Sequence, residues 1–102
     1  MSKTKDALKE AFAGEAQANK KYLAFAAKAD QEGYPQVARL FRAAAEAETV
    51  HALAHLRAMK GIRSTKENLE EAIAGETHEF KNMYPQMIEA AKQESDKEAA
   101  RS

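Results

Sequence analysis

The sequence predicts an all-α protein, a helical bundle with three long helices per chain, on three grounds. Alanine, glutamate and lysine dominate the 102 residues while glycine (4) and proline (2) are scarce, a composition that favours helices. Turn signals cluster at Gly33-Tyr34-Pro35 and at Gly61-Ile62-Arg63. Between those points apolar residues recur with a helical period.

The first helix is expected over residues 4–32, where Gly33 stops it. Pro35 suits a first helical turn and opens the second, over 35–60. Gly61 ends that helix. Ser64 and Glu67 then form a capping box for a third helix over 65–98, which Pro85 is expected to kink. The apolar stripes are Leu8, Ala11, Phe12, Tyr22, Leu23 and Ala26, then Val37, Leu40, Phe41, Ala44 and Met59, then Leu69, Ile73, Phe80, Met83 and Met87. Each stripe is interrupted near its middle: by Glu15, by Glu48, His51 and His55, and by Glu76 and Glu79.

The chain also repeats itself. LKEAFAGEAQANKKY from Leu8 aligns with LEEAIAGETHEFKNM from Leu69 at a shift of 61, which superposes Glu15 on Glu76. The same shift places counterparts of Glu48 and His51 beyond Ser102. The expectation is therefore a truncated domain over 1–102 without a fourth ligand-bearing helix.

Bulk properties exclude several classes of function. Sixteen basic and 16 acidic residues cancel, so no field draws nucleic acid or an anionic membrane. The chain has no cysteine, which leaves carboxylate and imidazole as metal donors. The N-terminus lacks the apolar segment of a signal peptide and no apolar run is long enough for a membrane span. A cytoplasmic protein is the expectation.

Burying a carboxylate costs several kcal/mol, against a whole-domain stability of roughly 5–15 kcal/mol. The inward acids therefore need basic partners, protonation or a bound cation. Few basic residues lie on the stripes, so a pair of cations is the economical answer. In Glu48-x-x-His51 the i and i+3 side chains share one helix face, and Glu76-x-x-Glu79 offers two oxygen donors in the same way. Bundles that bind paired iron or manganese combine lone glutamates with Glu-x-x-His pairs. Each element alone has a plainer reading. An isolated Glu-x-x-His is more often a surface pair, and Glu15 alone could sit in water at its stripe's edge. His55 reads as a half-buried, hydrogen-bonded histidine, His78 as solvated, and the Met and Phe residues of helix three as core.

The segments GEAQANKKY, ETVHALAHL and TKENLEEAIAGETHEFKNMYP together resemble the rubrerythrin family of ferritin-like di-iron proteins, over nearly the whole chain. The resemblance implies a ferritin-like bundle with an iron pair, in which Glu15 is a terminal ligand and Glu48 bridges the metals. It places His51 on the first iron and Glu76 on the second. Glu79 is the extra carboxylate that exchanges with His51 at the first iron as the redox state changes. Tyr22 and Tyr84 match tyrosines that hydrogen-bond ligand carboxylates. Catalytic roles would then fall to Glu79, His51, Tyr22 and Tyr84. The implied reaction is reduction of hydrogen peroxide to water in oxidative-stress defence, each iron giving one electron to the O–O bond. Zinc or manganese can replace iron in such a donor set. A chain without cysteine lacks the family's rubredoxin centre, so electrons would come from a separate rubredoxin or reductase.

Helices two and three run parallel in ferritin-like bundles, so the chain between them must travel the length of the bundle. Helix two is roughly 39 Å long, while residues 61–64 reach roughly 14 Å. This leaves an up-down-up monomer or a homodimer in which helix three is swapped between copies, and the swapped dimer is favoured. Pairing of two helix-one/helix-two hairpins ranks below it, since it leaves helix three unburied. The rival functions are a non-catalytic, iron-sequestering or structural metal bundle, and a metal-free association module.

Overall fold

The computed structural model describes residues 2–102 and divides them into two compact units, residues 1–62 and 63–102. The first unit is a helical hairpin of α1 (Lys3–Gln31) and α2 (Pro35–Ala58). The second is α3 (Thr65–His78), a π-helical turn (Glu79–Met83), α4 (Tyr84–Gln93) and the short α5 (Lys97–Arg101), which packs on α4. Among the described residues there is no strand.

Helix boundaries follow from local chemistry. Ser2 caps α1 by accepting from the Lys5 N–H, and Ser64 caps α3 by accepting from Glu67 while its own hydroxyl meets the Glu67 carboxylate at 2.8 Å. Three helices end in the same way, with a left-handed residue and a following N–H that reaches back five positions. Gly33 (φ 83°) precedes Tyr34 N–H to Ala29 C=O, Lys60 (φ 57°) precedes Gly61 to Leu56, and Ser95 (φ 60°) precedes Asp96 to Ala91. The stop after α2 is thus made at Lys60, one residue before the expected glycine. At Gly61 a Cβ would lie 2.5 Å from Leu56 Cδ1, so a larger residue there requires the end of the Leu56 side chain to move.

The third helix departs from expectation. It ends at Gln93 rather than 98, and Asp96 caps the start of α5 by accepting from Ala99 N–H. Pro85 lacks an N–H and crowds the preceding turn, and the helix answers by widening into the π turn, where Tyr84 N–H donates to Glu79 C=O. The repeat explains the widening. Glu15 and Glu76 stand 61 apart, whereas Tyr22 and Tyr84, and the left-handed Gly33 and Ser95, stand 62 apart. The second copy carries one extra residue, and the π turn absorbs it.

The hairpin packs on small residues. Ala38, Ala45 and Ala52 are buried along α2 at heptad spacing, and Ala26 and Ala29 of α1 pack with Ala38. Phe41 seals one end, with Tyr22 and Phe25 around it at ring-centroid distances of 6.0 and 5.4 Å. Asn19 reaches across from α1 and donates to Ala45 C=O and to Thr49 Oγ1, each at 2.7 Å. Only a side chain as short as alanine leaves that carbonyl within reach.

The expected stripes are not all buried. Leu23, Val37 and Leu40 in the hairpin are exposed, as are Leu69, Ile73, Phe80 and Met87 in the second unit. Each unit thus leaves large apolar side chains in solvent.

Two stability outcomes follow. Ala45→Leu forces the hairpin apart and should lower stability by about 1–3 kcal/mol. Gly33→Ala places a Cβ on a left-handed residue and should cost about 1–2 kcal/mol. Thermal and urea unfolding measure both.

Candidate metal centre

Heptad spacing decides which side chains of α2 face α1. Phe41, Glu48 and His55 lie seven residues apart, beside the alanine seam, and His51 follows Glu48 by one turn. On α1, Leu8, Glu15 and Tyr22 repeat at the same interval. Asn19 is one turn from Glu15, and its bonds to Ala45 and Thr49 set the level at which Glu15 meets α2.

The result is a convergence of donors inside the hairpin. One ligand atom each from Glu15, Glu48 and His51 lie within 4.8 Å of one another. Glu15 and Glu48 are half-buried, whereas the His51 side chain is 56% exposed. Glu15 Oε1 lies 3.4 Å from His51 Nδ1, and Glu15 Oε2 lies 2.6 Å from His55 Nε2. The second contact is close but not aligned as a hydrogen bond, so Glu15 Oε2 is a buried acceptor without a hydrogen-bonded donor. Among the described residues no lysine or arginine pairs with Glu15 or Glu48. Two carboxylates and an imidazole that converge with no lysine or arginine beside them fit a divalent cation better than they fit a structural ion pair.

Glu76 and Glu79 belong to the second unit. Glu76 is exposed on α3, and Glu79 is half-buried at the first position of the π turn. Neither is ion-paired among the described residues. Glu79 has no acidic counterpart in the first repeat, where Ala18 stands 61 positions earlier. The Tyr22 ring lies beside Phe25 and Phe41, and Tyr84 is exposed in the second unit. His78 is exposed, as expected. His55 is 30% exposed and touches Glu15, a closer involvement with the site than its expected role. Its spacing of seven from Glu48 was the signal for that placement.

The sequence matches the rubrerythrin family model over residues 6–102. The chain belongs to the rubrerythrin family. It is 41% identical to a rubrerythrin of Porphyromonas gingivalis over 97% of this chain and 56% of that protein. It is 36% identical to rubrerythrin-2 of Clostridium acetobutylicum over 97% of this chain and 61% of the relative. With nigerythrin of Nitratidesulfovibrio vulgaris the identity is 37%, over 94% of this chain and 54% of the relative. The chain thus spans roughly three fifths of the curated relatives it matches, and as a rubrerythrin domain it has a ferritin-like helical bundle as its fold class. The 113 positions aligned with the Clostridium protein exceed this chain's 102 residues, so that rubrerythrin carries residues within the matched span that are missing here. No helix among the described residues is long and apolar enough to cross a membrane.

Replacing Glu48 with Ala removes one of the three converging donors and should sharply reduce the metal retained. Metal-to-protein stoichiometry after anaerobic ferrous loading and desalting checks this.

Proposed function

We propose that this chain is a di-iron module of the rubrerythrin type that reduces hydrogen peroxide to water. The observation that carries the reading is the convergence of ligand atoms from Glu15, Glu48 and His51 within 4.8 Å of one another in the hairpin. When bound, a ferrous pair supplies one electron from each metal to cleave the O–O bond. The residues do the rest. Glu15 and Glu48 offer anionic oxygens that balance the cationic charge, and His51 offers a neutral nitrogen. Half-exposed His51 is free to turn toward or away from the site, which suits a donor that exchanges with Glu79.

Glu76 and Glu79 would complete the donor set from a second copy, by exchange of the second unit between chains. Support comes from the unpartnered stripe of Leu69, Ile73, Phe80 and Met87, on whose level the two glutamates stand. The reach of residues 61–64 argues the same way, roughly 14 Å against roughly 39 Å for a return along the bundle. The alignment excess is consistent with a connection that is longer in the relatives. The 102 residues hold no cysteine, so electrons would arrive from a donor outside them. Rubredoxin or a reductase would serve.

One observation favours a second reading, metal binding without turnover. The donors that converge within one hairpin are those of a single cation, and the His51 side of the site is open. The two readings separate on peroxide consumption by the anaerobically loaded ferrous protein. Catalysis predicts one peroxide consumed per iron pair, and repeated cycles when a reductant is supplied. Sequestration predicts iron uptake without stoichiometric, rapid peroxide loss. Native mass spectrometry of the same sample should give a dimer, and Ile73→Lys should convert it to monomer.

A further inference from the structure

We infer that His55 is a positioning residue for Glu15: its Nε2–H holds Glu15 Oε2 so that Oε1 is presented to the cation between Glu48 and His51. The inference rests on the di-metal reading above and adds a residue to it. Three observations converge.

First, the heptad places His55 on the same line of α2 as Phe41 and Glu48, facing α1, so its direction is set by helix packing and not by chance contact. Second, the two oxygens of Glu15 are divided between two imidazoles. Oε1 lies 3.4 Å from His51 Nδ1, at the donor cluster, and Oε2 lies 2.6 Å from His55 Nε2, with the ring 30% exposed. Third, Oε2 has no aligned hydrogen bond, and no other side chain reaches it among the described residues. The two atoms are already close enough for a charge-assisted bond once the ring N–H is aligned. His55 itself stands outside the group whose ligand atoms lie within 4.8 Å of one another. It therefore acts on the carboxylate and not on the cation.

The role matters because a carboxylate is a variable ligand. With both oxygens free, Glu15 can rotate, bind through either one, or bind through both. A donor on one oxygen selects the other and orients it, the part that partners outside the ligand shell play in metal sites generally. The Tyr22 ring lies beside Phe25 and Phe41. His55 makes the contact with Glu15.

The test is anaerobic titration of the full chain with Co(II), followed by visible d–d absorption and calorimetry, on the unsubstituted protein, His55→Gln and His55→Phe. Gln retains an N–H donor on a side chain of similar reach, whereas Phe retains only the ring volume. The expected result is a loss of Co(II) affinity of about 10–100-fold and altered d–d bands in His55→Phe. His55→Gln should restore most of both, and thermal unfolding of the metal-free proteins should differ little. Unchanged affinity and spectrum in His55→Phe would overturn the assignment and leave the di-metal reading intact. Equal losses in Gln and Phe would overturn it too, because the imidazole itself would then be required. Failure of the unsubstituted protein to take up Co(II) would overturn the di-metal reading and the assignment with it.

Discussion

The close approach of α1 and α2 over an alanine seam is the constraint on which the rest depends. Ala38, Ala45 and Ala52 on one helix and Ala26 and Ala29 on the other leave no bulk between the backbones. Burial of so few methyl groups contributes little hydrophobic stabilisation, by the usual value of about 25 cal/mol per Å². Its contribution is proximity. Because the backbones are close, Asn19 reaches the Ala45 carbonyl, and this bond fixes the sliding register of the hairpin. Because the register is fixed, Glu15 meets the stretch of α2 that carries Glu48, His51 and His55.

The same economy explains the exposed surface. A seam of alanines cannot hold the larger apolar side chains, so Leu23, Val37, Leu40, Val50 and Leu53 remain outside it. Along α3, the π turn and α4, Leu69, Ile73, Phe80, Tyr84 and Met87 form a second uncovered line.

Much of this was legible in the sequence, for identifiable reasons. Ser2, Gly33, Pro35 and Ser64 have strong local preferences, and the helix ends beside them fall within a residue or two of expectation. The inward acids were legible because charge on an apolar stripe is costly and needs a cause. Other features depend on geometry that composition does not carry. Lys60 and Ser95 adopt a left-handed conformation that nothing in their side chains advertises. The π turn at Glu79–Met83 became visible only when the 61-residue repeat was compared with the 62-residue spacing of Tyr22 and Tyr84. The sequence places His55 on the same stripe as Glu48 and His51, but its contact with Glu15 depends on the packing of α1 against α2.

Anomalous scattering from crystals grown anaerobically with ferrous iron shows whether the hairpin seam presents Glu15, Glu48 and His51 to a metal. A peak among those three side chains is the expected result. Iron bound elsewhere, with the seam free of anomalous density and Glu15 still against His55, would contradict it.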